Sequence, residues 1–189
     1  DDARTAFLAS RDETPAEEPR MRARFGILAG NAALAGDQTE TALGLFTTAQ
    51  ADAELAASAT LQATAATDAA RAMVALNRPE EALAALETAT MLEPQKGDGW
   101  LLKATLLRRL GRLTEAQAAI ESAATVAPQN AEIGLEAGVI AVLSGRTEAA
   151  RKSWQSVLDI QPDSLAAATA KDYLAQIGPK ASDVEEQTP

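Results

Sequence analysis

The titratable side chains of this sequence are almost all carboxylates, arginines and lysines, for it contains neither histidine nor cysteine. That removes imidazole and thiolate nucleophiles, histidine-based triads and nearly all zinc or haem ligation. Two kinds of chemistry are left. A pair of carboxylates can share acid–base work, and a guanidinium can hold a carboxylate through two parallel hydrogen bonds. The adjacent pairs Glu17–Glu18 and Glu80–Glu81 suit the first poorly, because neighbouring residues on a helix point in different directions. No P-loop, G-x-G-x-x-G, H-E-x-x-H or EF-hand pattern occurs. The reading is therefore of a protein that is not an enzyme, with no catalytic residue, metal or cofactor. For the second chemistry the candidates are Arg71 and Arg108.

Such residues need elements to position them, and composition says which. Nearly half of the 189 residues are apolar but only 3 % are aromatic, and alanine carries much of the apolar share. Alanine favours close-packed helices, whereas strands draw on β-branched and aromatic residues. A formal charge of −10 opposes binding to nucleic acid or to anionic membrane surfaces. No apolar run approaches the roughly 20 residues that cross a bilayer. The chain begins at Asp1, which raises the expectation of an exported, periplasmic or secreted protein trimmed by a signal peptidase, with a cytoplasmic one as the alternative.

A 34-residue period orders the helices. Pro94, Pro128 and Pro162 are spaced by it, as are Ala82, Ala116 and Ala150, and Asn77, Gly111 and Gly145. A self-similar period of this size marks one supersecondary unit copied in tandem, each copy burying its apolar face on the next. In residues 97–130, Trp100, Ala104 and Leu107 share one helical face; Gly111 ends that helix; Leu113, Ala116, Ile120, Ala123 and Ala124 make a second; Pro128 stops it.

Trp100-x2-Lys103-Ala104-x2-Leu107, then Gly111, Ala116, Ile120, Ala123 and Pro128, resembles the tetratricopeptide repeat. Lys103 stands where that family usually has leucine. Residues 131–164 repeat the match with Gly138, Ala141, Gly145, Ala150, Trp154, Val157 and Pro162, and residues 63–96 with Ala70, Met73, Ala82, Leu86, Ala89 and Pro94. The resemblance implies an all-α, right-handed solenoid of stacked antiparallel helix pairs. The expected organisation is an arm or linker over 1–19 and a solenoid over 20–177. The solenoid holds a divergent unit over 20–52 with Gly36 as its turn glycine and a lengthened helix from about 54, running Glu54–Leu76 without Gly or Pro. The regular repeats 63–96, 97–130 and 131–164 follow, then a capping helix over 164–177 and a disordered tail over 178–189. Trp100 and Trp154 read as core.

The family binds ligands on a concave surface lined by the first helix of each pair. Its groove positions map onto Thr67, Arg71 and Val74, then onto Leu101, Thr105 and Arg108 with Arg109 beside them, then onto Leu135, Val139 and Val142 with Leu143 beside them. Two readings of Arg71 and Arg108 are open: they meet a partner's carboxylate, or they pair with nearby carboxylates of this chain or stay solvated. Likewise the stripe at Leu135, Val139, Val142 and Leu143 either receives an apolar segment of a partner or is covered by the last helix or by the curvature of the chain. The resemblance implies a non-catalytic protein–protein interaction module, a scaffold that binds a peptide or helical segment in a bacterial envelope or secretion assembly. The alternatives are a structural spacer or dimerisation solenoid and, more remotely, a carboxylate-dependent enzyme.

Overall fold

The computed structural model describes residues 2–178, so the expected tail, Gly178 apart, lies outside the described residues. Among the described residues there are ten α-helices and no strand: α1 Asp2–Glu13, α2 Pro19–Ala35, α3 Thr39–Leu55, α4 Ala59–Ala75, α5 Pro79–Leu92, α6 Gly97–Arg109, α7 Leu113–Val126, α8 Ala131–Leu143, α9 Thr147–Ile160 and α10 Leu165–Gln176. The chain divides into two compact units, one ending at Leu102 and the other starting at Lys103. In the first unit α1 packs on α2, α2 on α3, α3 on α4, α4 on α5, and α2 also on α4. In the second, α7 packs on α8, α8 on α9, and α10 on both α8 and α9.

One turn recurs at five helix ends. Asp37, Ala57, Asn77, Gly111 and Gly145 all have positive φ, between 48° and 74°. In each case the N–H of the next residue donates back to the carbonyl five residues earlier, as from Gln38 to Ala33 and from Arg112 to Leu107, both 2.9 Å. This is a helix end closed by one left-handed residue, which satisfies carbonyls that would otherwise lack donors. The turn glycines Gly111 and Gly145 thus do what their spacing demands. Gly36 does not: its φ is −95°, and Asp37 is the left-handed residue.

The expected helix from Glu54 to Leu76 is two helices. It breaks at Ala57, and Ser58 caps α4 by accepting from the N–H of Leu61 at 3.4 Å. Absence of Gly and Pro permits a helix but does not enforce one; a serine that offers its hydroxyl to the next turn competes with continuation. From Asp37 to Asn77 the chain is six residues longer than one period. The surplus sits in α3 and α4, each of 17 residues, where α5 and α6 have 14 and 13. The start, expected to be an arm or linker, carries a helix. Residues 2–13 are helical and docked, with Arg11 Nη2 2.7 Å from Asp52 Oδ2 and Arg22 donating to the carbonyl of Thr14 at 3.2 Å. Phe7 and Leu8, both half-buried, accompany those polar contacts.

The helices approach closely because their contact positions are small. A Cβ on Gly30 would lie 2.4 Å from the ring of Phe46, and one on Gly26 2.9 Å from Ala49 Cβ. Most buried side chains of the first unit are alanines, around Phe46, Leu83 and Leu86. At the surface, Arg78 and Arg112 precede α5 and α7 and fork onto Glu81 and Glu115, at 2.6–2.7 Å in both pairs. The hydrogen bond from each arginine holds its glutamate's carboxyl below the usual range. The expected cap is present as α10: Ser164 accepts from the N–H of Ala167 at 3.0 Å, and Ala166 and Ala170 are buried with Tyr173, Leu174 and Ile177 packed beside them.

The turns give two opposite expectations. Ala57→Gly should raise stability by about 1 kcal/mol, because it relieves a Cβ held in the left-handed region. Gly111→Ala should lower it by about 1 kcal/mol for the converse reason. Chemical-denaturation midpoints of the two variants check both signs.

Candidate functional site

Two of the three α4 groove positions, Thr67 and Arg71, lie in a polar pocket of the first unit. Thr67, Asp68 and Arg71 of α4 face Glu93 and Lys96 of the α5–α6 turn and Asp98 and Gly99 of α6 around a cavity of about 180 Å³. Asp68 is buried, and a buried carboxylate needs partners. It has two: the amide of Asn31 at 3.1 Å and the guanidinium of Arg71. Thr67 donates its hydroxyl to the carbonyl of Ala63 at 2.8 Å. Arg71 therefore neutralises an acid of its own helix one turn before it.

Arg108, in the second unit, is used in the same way. Its Nε lies 2.6 Å from Glu136 Oε1, and the two side chains are only 23 % and 12 % exposed. Of the two readings of these arginines, the structure shows pairing within the chain. Val74, Leu101 and Thr105 are half-buried and Arg109 is exposed; none of them lines this pocket or the one below.

The apolar stripe builds a real concavity. Val139, Val142 and Leu143 of α8 form one wall of a cavity of about 240 Å³, Tyr173, Gln176 and Ile177 form the other, and Trp154 of α9 lines it too. Leu143 is 54 % exposed at the lip. Leu135 lies apart from this cavity, packed against the core cluster. Its carbonyl accepts the indole N–H of Trp154 at 3.1 Å, which satisfies the polar edge of an otherwise apolar ring. The indole is only 3 % exposed and sits 5.1 Å, centroid to centroid, from the ring of Tyr173. Space for it exists because residue 138 is glycine: a Cβ there would be 2.0 Å from Trp154 Nε1. The other tryptophan, Trp100, is half-buried and donates to the carbonyl of Pro94 at 3.0 Å.

Sequence reasoning found one wall of this pocket and missed the other. Tyr173, Gln176 and Ile177 stand one 34-residue period after Val139, Val142 and Leu143. Carrying the register one unit further, into the helix read only as a cap, would have located them. The carboxylates that consume the arginines were also missed, because Asp68 and Glu136 share a repeat position at which the intervening unit has Leu102. Among the described residues, no group of three or more Asp or Glu side chains is placed to hold a metal ion.

Residues 67–131 and 101–164 match the model of the tetratricopeptide repeat, over half of the chain between them. The chain belongs to the tetratricopeptide repeat family. Solved structures agree on the fold. YrrB, described as a tetratricopeptide repeat protein with an unusual peptide-binding site, is 23 % identical with a TM-score of 0.63, covering 79 % of this chain and 74 % of its own. TTC0263 of Thermus thermophilus, a thermophilic tetratricopeptide repeat protein, is 19 % identical with a TM-score of 0.67, covering 82 % of this chain and 83 % of its own. The Cut9–Hcn1 structure of the APC/C matches with a TM-score of 0.69 at 16 % identity, covering 85 % of this chain and 30 % of that one. No curated protein matches the chain. At these identities the structural likeness speaks for the all-α solenoid fold alone. Family membership adds the general activity of such repeats, which is to hold other proteins.

Trp154→Ala should cost about 3–5 kcal/mol, since it empties a closed site between α8 and α9. Gly138→Ala should also be strongly destabilising, because the added methyl and the indole cannot both fit. Thermal melts of both variants, read against the wild type, check this.

Proposed function

We propose that this tetratricopeptide repeat protein is a non-catalytic interaction module whose principal contact is the apolar pocket between α8 and α10. The observation that carries the reading is the pocket's lining: two first-type helices present matching positions of consecutive periods to one cavity, and most of those side chains are apolar. A large aliphatic or aromatic side chain of a partner segment, seated there, would lose about 1.5–3 kcal/mol of hydration cost. That is the size of a single anchor contact, with the rest of the affinity drawn from the flanking groove. The polar pocket around Arg71 supports a secondary role, since its guanidinium is already matched by Asp68. A bacterial envelope or secretion assembly is the expected setting, and fractionation of the native protein tests it: recovery in the cytosol alone would remove that part of the proposal.

The pocket is tested by selecting peptides from a random display library on the wild-type protein. The expected outcome is a set sharing one large apolar residue. Leu143→Asp and Val142→Asp should each weaken their binding by about 10-fold or more, while Arg71→Gln leaves it nearly unchanged. Peptides that instead share an acidic residue and lose binding in Arg71→Gln would move the contact to the polar pocket. Circular dichroism of each variant separates lost binding from lost fold.

A further inference from the structure

Most arginines of this chain already have a partner. Arg11 and Arg22 hold Asp52, Arg71 holds Asp68, and Arg108 holds Glu136. Arg78, Arg112 and Arg151 sit on glutamates three residues away, and Arg4 and Arg146 donate to Gln38 and Gln117. Among the described residues, the arginines that make no hydrogen bond or ion pair are Arg20, Arg24 and Arg109. Arg109 lies in the last turn of α6, where the carbonyl end of a helix favours a cation. Arg20 and Arg24 stand at the wrong end for that, in the first two turns of α2. There the N–H end of the helix disfavours positive charge. In the first turn α3, α5, α7, α8 and α9 each place a glutamate, whereas α2 places no acid.

The two faces of α2 are sharply divided. Its buried residues are small apart from Ile27, and they turn to the core. Its exposed residues, Arg20, Met21, Arg24, Leu28, Asn31 and Ala35, fall on one stripe about 100° wide on the opposite side. Asn31 is engaged with Asp68. The stripe is left with two guanidiniums one turn apart and two large apolar side chains, Met21 and Leu28, 39 % and 43 % exposed. No Asp or Glu occurs anywhere in α2, so in a chain of net charge −10 this surface is locally positive. At its start Arg20, Met21 and Arg24 line a cavity of about 320 Å³ together with Glu17, Glu18 and Ala56.

We propose that the exposed stripe of α2 binds an acidic, amphipathic segment of a protein partner, whose carboxylates pair with Arg20 and Arg24 while its aliphatic side chains cover Met21 and Leu28. Charge complementarity chooses this occupant. A guanidinium and a carboxylate match in shape as well as sign. The apolar side chains beside them call for aliphatic groups about one helical turn from the acids, the pattern of an amphipathic helix. Nucleic acid offers phosphates but no aliphatic groups, and the net charge repels it. A phosphorylated side chain fits less well than a carboxylate, because Glu17 and Glu18 line the same cavity and their repulsion grows with the charge of the ligand. A bound carboxylate would also offset the unfavourable placement of the two cations at the start of the helix. The site lies wholly within the first unit and is independent of the α8–α10 pocket.

Peptides from a random display library, selected on the purified 189-residue protein and counter-selected on the double variant Arg20→Gln/Arg24→Gln, test it. The expected set is kept by the wild type and lost from the variant, and it shares Glu or Asp with a large aliphatic residue about one turn away. In titrations of one such synthetic peptide, the double variant should bind about 10-fold more weakly. Met21→Ala combined with Leu28→Ala should weaken binding by a similar factor, and Leu143→Asp should leave it unchanged. The decisive measurement exchanges the charges: Arg20→Glu/Arg24→Glu should bind the peptide whose acidic residues are replaced by lysine, and the wild type should not. No peptide lost from the double variant, a discriminating set without acidic residues, lost binding in Leu143→Asp, or no binding after the exchange would each overturn the proposal. Tighter binding of a peptide with phosphoserine in place of the acid would overturn the assignment to carboxylates. Both arginines are exposed and bond no described residue, so the melting temperature should not fall in these variants, and melting curves separate lost binding from lost fold.

Discussion

Helices in this protein touch across residues that scarcely have side chains, and the rest of the structure depends on it. Interaxial distances of about 8–10 Å leave no room for two large side chains at one crossing point. The chain solves this by pairing a glycine or alanine on one helix with a bulky residue on its neighbour: Gly30 with Phe46, Gly134 with Val157, Gly138 with Trp154. Many shallow contacts then replace one deep core, which is why so much of the buried set is alanine. It is also why a single added methyl at a glycine is a large perturbation, while exposed positions between contacts are free to vary.

Charge is distributed to serve that packing. Residues 1–102 contain sixteen acidic and eight basic side chains, whereas residues 103–189 contain eleven acidic and nine basic ones. In the acidic half two carboxylates, Asp52 and Asp68, are buried, and an unpaired buried charge would be strongly unfavourable. Arginines are spent on them: Arg11 and Arg22 on Asp52, Arg71 on Asp68. A guanidinium committed to an internal acid has less to offer a ligand, whereas the cavity between α8 and α10 in the second unit is lined mostly by apolar side chains.

What the sequence could and could not show follows from which forces are periodic. The turns at Asn77, Gly111 and Gly145, the small positions Ala82, Ala116 and Ala150, and Trp154 are dictated by geometry that recurs every 34 residues, so spacing alone located them. The break at Ala57 was illegible because alanine has no preference for left-handed backbone; the turn is imposed there by the neighbouring helices and by Ser58, a residue that reads as ordinary in a helical stretch. The misplacement of the first turn by one residue, Gly36 for Asp37, came from giving a glycine precedence over an aspartate that tolerates the same conformation. The groove was half legible. Val139, Val142 and Leu143 followed from the register, and the i, i+3 spacing of Asp68 and Arg71 was a readable signal that went unused; Glu136 lies a helix away from Arg108, and no local spacing rule names that pair.

The fastening of α1 has a consequence for how order is distributed along the chain. That helix contains no fully buried residue, and the pair Arg11–Asp52 anchors it to α3. With no side chain fully buried, its local opening should cost less than global unfolding. Backbone amides of α1 would exchange with solvent before those of α3 or α4. Anything seated against α1 would slow that exchange by mass action, so the rigidity of the first helix and the occupancy of its outer face are one linked equilibrium.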